Sequence, residues 1–164
     1  MSGITLRYSL DDASARASLR GARDRGLDLR PGWRAVGQAG VGQTRRRFLT
    51  GIGPDGTPWK KGHKPSGMTL IASGLLLRSI RVAKVAQDGV EWGSNRIYAA
   101  IHQLGGVIRP INGKALHFKI AGGFITAKSV TIPARPYLGA NQQDLTAFAQ
   151  ILLRHIAGPI GEAG

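Results

Sequence analysis

Ile80-Arg81-Val82-Ala83-Lys84-Val85-Ala86, then Gln87-Asp88-Gly89, then Val90-Glu91-Trp92-Gly93-Ser94 is the stretch that decides the fold class. Two runs rich in β-branched and aromatic residues flank an Asp-Gly pair, which supplies the positive φ angles of a tight primed turn. The stretch therefore predicts an antiparallel hairpin. Immediately upstream, Leu70 to Ser79 predicts a short helix capped by Ser73. Downstream, Ile97, Ala100, Ile101 and Leu104 fall at helical spacing and are closed by Gly105-Gly106 as a left-handed cap. Residues 114–120 and 124–131 predict a second hairpin around Ala121-Gly122-Gly123, with Leu116, Phe118 and Ile120 alternating against Ala115, His117 and Lys119.

Helices lie at both ends of this β-rich middle. Ile4, Leu6 and Tyr8 alternate as a short strand, and Asp11 or Asp12 offers an N-cap to a weakly amphipathic helix over 11–26. Arg30-Pro31 breaks it and opens a second helix over 31–49, whose inward stripe is Trp33, Val36, Gly37, Gly40, Val41, Thr44 and Phe48. Glycines 37, 40 and 42 each cost that helix about 1 kcal/mol relative to alanine, so another element is expected to pack closely against them. Residues 51–67, rich in glycine, proline and lysine, form a loop. Asn141 and Asp144 make a capping box for a final helix carrying Leu145, Phe148, Ala149, Leu152 and Ile156 on one face, stopped by Gly158-Pro159. The sum is a single α+β domain over 1–164: an antiparallel sheet of hairpins packed against N-terminal and C-terminal helices.

Composition narrows the chemistry. The chain has 164 residues and no cysteine, which excludes disulfides, thiolate nucleophiles, iron–sulfur clusters and cysteine-ligated zinc. No apolar run reaches the ~18 residues of a spanning helix, so no membrane partner is expected, and the N-terminus lacks a basic stretch followed by an apolar core. The chain is expected to be cytosolic when made. Twenty-three Lys plus Arg against 9 Asp plus Glu give a net charge of +14, with the excess spread over the whole length. Such a field favours polyanions, nucleic acid or an acidic protein surface.

No reactive constellation is legible in the sequence. Gly51, Gly53 and Gly56 match G-x-G-x-x-G, but they follow a helix instead of a strand, and Pro54 lacks an amide that should face a phosphate; a turn is expected there. Histidines 63, 102, 117 and 155 have no metal-ligand spacing, Pro54-Asp55 lacks a nuclease partner motif, and no G-x-S-x-G elbow occurs. No catalytic, cofactor or metal residue is therefore assigned, and no enzyme is expected. His102 reads either as a helix-end histidine bonded to a backbone carbonyl or as an interface contact. Trp59 and Trp92 read either as core or as base-stacking platforms. Arg45, Arg46 and Arg47, with Lys60, Lys61 and Lys64, are the candidates for contact with DNA or an acidic partner.

The order of the motifs carries further information. Arg47-Phe48-Leu49-Thr50-Gly51, Pro54-Asp55-Gly56-Thr57-Pro58-Trp59, Ser73-Gly74-Leu75-Leu76-Leu77-Arg78-Ser79-Ile80, Val90 to Asn95 with Tyr98 to Gly106, and Ile132-Pro133-Ala134-Arg135-Pro136-Tyr137-Leu138-Gly139 follow one another. This order resembles the virion morphogenesis, or tail completion, family of Mu-like tailed bacteriophages over about residues 44–157. Residues 1–43 carry little of the resemblance, and the basic loop 60–67 has no counterpart in it. The resemblance implies a non-enzymatic virion protein that completes or terminates the tail and joins it to the head at the neck, as a hexameric ring assembled in the host cytoplasm. Implied partners are further copies of the chain, the tail tube protein and the head connector proteins, with DNA passing through the ring. The second hairpin is the candidate for subunit pairing by edge addition, with Lys119, Ala121, Gly122, Gly123, Phe124, Arg135 and Tyr137 at the interface. The alternative is a small basic nucleic-acid-binding module.

Overall fold

Helix α1 covers Ala13–Leu27 and α2 covers Arg30–Thr50, in a computed structural model that describes residues 13–61, 69–120 and 123–158. The strand expected at 4–8, the caps Asp11 and Asp12, His63 and Lys64, Ala121 and Gly122, and the chain from Pro159 onward lie outside the described residues. Pro31 occupies the first turn of α2, where its missing N–H leaves no gap. Between the helices, Asp28 accepts from the Arg30 backbone N–H and from its guanidinium at 2.7 and 2.9 Å. Those bonds, the side-chain one foremost, hold the Asp28 carboxyl below the usual carboxylate range. At the far end, α2 stops where Gly51 turns left-handed and donates its N–H to the Arg47 carbonyl.

The glycine face of α2 receives the first hairpin, strands β1 (Arg81–Val85) and β2 (Val90–Gly93). A methyl group on Gly37 would stand 2.6 Å from Val90 Cγ2, and one on Gly40 2.7 Å from the Trp92 ring. The close approach expected from the sequence is therefore present at both positions. Gly42 differs, because it points into open space. Trp92 locks the arrangement by donating its indole N–H to Thr44 Oγ1 at 3.2 Å and meeting Phe148 edge-on.

Helix α3 is shorter than expected, Leu75–Ser79, because Leu70 and Gly74 both hold positive φ and the chain cannot be helical through them. Ser73 Oγ instead accepts the Leu75 N–H just ahead of the first turn. Helix α4 is Ala99–Leu104, with Ile97 left at the surface. Strands β3 (Gly106–Ile108), β4 (Leu116–Ile120), β5 (Gly123–Ala127) and β6 (Val130–Ile132) follow, then α5 (Gln142–Ala157). Among the described residues all strand pairs are antiparallel, as expected, but they form three two-stranded ladders: β1 with β2, β3 with β6, β4 with β5. The second hairpin consequently ends at Leu116 opposite Ala127, and Val130–Ile132 leaves it to pair with Gly106–Ile108.

Helix α5 packs along α2 and begins with the expected capping box: the Asp144 N–H donates to Asn141 Oδ1 at 2.8 Å and the Asn141 N–H to Asp144 Oδ2 at 3.1 Å. At its other end, Arg25 of α1 donates to the carbonyls of Ile156 and Ala157, serving the last-turn acceptors that lack partners inside the helix. The core is Val41, Phe48, Trp59, Leu76, Ile80, Ala99 and Tyr137. Phe48 lies at its centre, 5.0 Å from Tyr137 and 5.8 Å from Trp59 by ring centroids.

Gly40→Ala should destabilise the protein by about 1–3 kcal/mol through overpacking against Trp92. Gly42→Ala, at an open helical position, should stabilise it by about 0.5–1 kcal/mol. Urea unfolding of the two variants beside the wild type checks both signs.

Candidate functional site

Within Arg45-Arg46-Arg47, helical phase separates the three side chains. Arg45 and Arg46 are exposed, and Arg45 Nη2 reaches the Ile80 carbonyl at 3.0 Å. Arg47 lies one turn beyond Thr44 on the inward stripe and is buried. Its Nη1 donates to the carbonyls of Tyr137 and Gly139, and its Nη2 forms an ion pair with Asp144. All its contacts are internal, which removes Arg47 from the partner surface where the sequence put it. Its place at i+7 from Gly40 and i+3 from Thr44, on a stripe that runs on to Phe48, carries that signal.

The segment 133–139 is fastened from both sides. The Gln103 side chain accepts from the backbone N–H groups of Tyr137 and Leu138 and donates to the Leu138 carbonyl. Nothing in the sequence singled Gln103 out. Trp59 donates its indole N–H to the Pro136 carbonyl at 2.9 Å, so it is a core residue and not a stacking platform. Arg135 and Tyr137, expected at a subunit interface, are buried instead: Arg135 Nε donates to the Lys60 carbonyl, and the Tyr137 hydroxyl to the Ala99 carbonyl. Burial lowers the Arg135 pKa and raises that of the Tyr137 hydroxyl from their ordinary values.

His102 lies beside this fastening. Its backbone carbonyl accepts the Arg135 N–H, its ring meets Tyr98 edge-on, and its Nδ1 is buried with no hydrogen-bond partner among the described residues. The carbonyl bond expected for the ring is thus absent at Nδ1. Desolvation first, and the Arg135 charge second, push the imidazole pKa below its ordinary value. The turn Gly51 to Trp59 is closed on itself by Gly53 N–H to Thr57 O, Gly56 N–H to Gly53 O and Trp59 N–H to Gly51 O. Asp55 accepts from the Thr57 N–H and hydroxyl, which holds its carboxyl below the usual range. Among the described residues no group of three His, Asp or Glu converges to hold a metal ion.

Apart from His102 Nδ1, the uncommitted groups lie at the surface. The described residues of 106–132 form an arm made of the β3–β6 ladder and the β4–β5 hairpin nested within it, and none of their described side chains is buried. Phe124 is 83% exposed with Lys119 Nζ over its ring at 5.9 Å, and Ile111 is 96% exposed. Gly123 opens β5 beside them. No acidic residue occurs between Glu91 and Asp144, so Arg109, Lys114, Lys119 and Lys128 make the arm wholly basic. Lys60 and Lys61 are exposed on the edge of the body. No helix among the described residues is long and apolar enough to cross a membrane.

A domain of this kind spends its interior polar groups on holding its own connectors and presents a basic surface with a projecting arm. The chain belongs to the phage virion morphogenesis family, whose model matches residues 10–157. That match reaches through α1 and α2, well beyond the 44–157 expected from the motifs. The protein is accordingly a phage virion structural or assembly protein. No curated protein and no solved structure matches the chain.

A histidine whose pKa is depressed in the folded state contributes stability above its unfolded pKa and loses it as pH falls through that value toward the folded one. Stability should decline as pH drops below about 6.5, the ordinary histidine value. In His102→Gln the slope of Tm against pH over that interval should be shallower.

Proposed function

We propose that this protein completes or terminates the phage tail and joins it to the head at the neck, as a closed ring of copies, six in the simplest symmetry. Its mechanism is stoichiometric: copies associate through the arm, the finished ring ends tail-tube growth, and one face docks the head connector. The observation that carries this reading, beside family membership, is the arm at 106–132, whose exposed apolar and basic side chains have no cover in the monomer. A closed ring needs two different surfaces on each copy, and an arm that finds its cover on a neighbour supplies one of them. Ring partners are the tail tube and head connector proteins, with the exposed Arg45, Arg46, Lys60 and Lys61 turned to acidic neighbours or to the DNA in transit. No bond-making step is assigned to any residue.

A second reading, a small basic nucleic-acid-binding module, is favoured by the charge inventory. Among the described residues only Asp88 and Glu91 are carboxylates without a hydrogen-bond or ion-pair partner. Light scattering and a gel shift at physiological salt separate the two readings. Ring formation predicts a multimer of defined mass; the module predicts a monomer that binds duplex tightly, with affinity falling steeply as salt rises. In a lysate of phage deleted for this gene, negative-stain images should show free heads and unjoined tails. Normal virions from that lysate would contradict the assembly role.

A further inference from the structure

The β4–β5 hairpin has two unlike sides. Cross-strand partners share a side, so Leu116 with Ala127 and Phe118 with Ile125 line one of them. His117 with Thr126, joined by a 2.9 Å hydrogen bond, and Lys119 with Phe124 line the other. The first side is apolar throughout, yet none of its four residues is buried. Helix α5 carries a matching feature. Leu145 and Leu153 are 50% and 64% exposed, with exposed Ala149 midway between them. At spacing i, i+4, i+8 these three form a line along the helix about 12 Å long, close to the ~13 Å spanned by a five-residue strand.

We propose that the arm of one copy lays the apolar side of its β4–β5 hairpin on the Leu145, Ala149, Leu153 line of α5 in the next copy. The proposal rests on the ring reading above and names its interface. Electrostatics favours this receiving surface over most of the molecule. Each copy carries +14, so two copies repel, and a basic arm is opposed wherever the neighbour shows lysine or arginine. Helices α1 and α2, the segment at Lys60 and Lys61, and β1 all show them. From Gln142 to Leu153, α5 has none; its single charge there, Asp144, is buried against Arg47, and the first basic residue is Arg154. An exposed apolar line and freedom from lysine and arginine therefore coincide on one helix, whereas β2, with exposed Glu91, offers low repulsion without such a line. Arm and helix are different surfaces, so the contact is heterologous and propagates from copy to copy until the ring closes.

The absence of cysteine makes the test direct. Ile125→Cys, Ala149→Cys and Glu91→Cys are prepared singly in the full chain, one member of each pair carrying a short tag that separates mixed dimers from symmetric ones by size. Equimolar pairs are mixed under mild oxidation, and association is followed in parallel by light scattering. The expected result is a disulfide-linked mixed dimer from Ile125→Cys with Ala149→Cys and none from Ile125→Cys with Glu91→Cys. The double variant Leu145→Gln, Leu153→Gln should weaken association at least tenfold while its Tm stays at the wild-type value. Multimers that form without the 125–149 link, or with a 125–91 link reporting addition to the free edge of β2, would overturn this interface and leave the ring standing. A chain that stays monomeric at every concentration would remove the ring and this interface together.

Discussion

A buried guanidinium is tolerated only when its donors are met, and Arg47 meets them with the Asp144 carboxylate and the carbonyls of Tyr137 and Gly139. This one side chain joins three parts of the chain distant in sequence: the C-terminal turn of α2, the connector at 137–139 and the first turn of α5. Asp144 serves twice, as partner of Arg47 and as the capping-box acid of its own helix. Either role alone would place α5 loosely. Together they fix both its start and its distance from α2. Phe48, the next residue, then stands against Tyr137 and Trp59, so the polar clamp and the aromatic core are set by the same turn of helix.

With the buried arginine satisfied in this way, what the body offers to others is surface. Among the described residues most carboxylates are spent on neighbours along the chain or in the clamp, leaving a predominantly positive described surface. For a virion assembly protein this has a physical consequence. Copies do not associate in solution merely by meeting; they need apolar contact large enough to exceed mutual repulsion, or a polyanion that neutralises it. In the proposed ring the arm would provide the first, and the exposed arginine and lysine side chains on α2 and the 51–61 segment would accommodate the second.

Much of the fold is legible from short-range chemistry. Asp88-Gly89 dictates a turn wherever it lies between β-branched runs, Asn141 and Asp144 bond each other within a single helical turn, and Gly37 and Gly40 announce a neighbour that must come close. Each signal is local or leaves a vacancy that only one arrangement fills. Features that depend on distant partners are not legible in the same way. Arg47 has the composition of a surface charge and becomes a core residue only because Asp144 arrives from 97 positions away. Arg135 and Tyr137 sit in a glycine- and proline-bounded segment that reads as free connector, until Gln103 and the Lys60 carbonyl are brought against it. The division of 114–132 between two ladders depends on where Gly106–Ile108 lies, which alternation within the segment does not encode. The exposure of the second hairpin is legible from its lysines; the exposure of Leu145 and Ala149 on α5 is not, since they belong to the same apolar pattern as the buried Phe148.

The central claim, that the clamp at Arg47 holds the fold together, is tested most directly by a double-mutant cycle in urea with Arg47→Met, Asp144→Asn and both, with Arg46→Met as the surface reference. Removing one partner of a buried pair is expected to lower stability by about 3–5 kcal/mol, with the double variant recovering a large part of the summed loss. Arg46→Met should stay within about 0.5 kcal/mol of wild type. Equal, small effects of Arg47→Met and Arg46→Met, with additive behaviour in the cycle, would contradict the account.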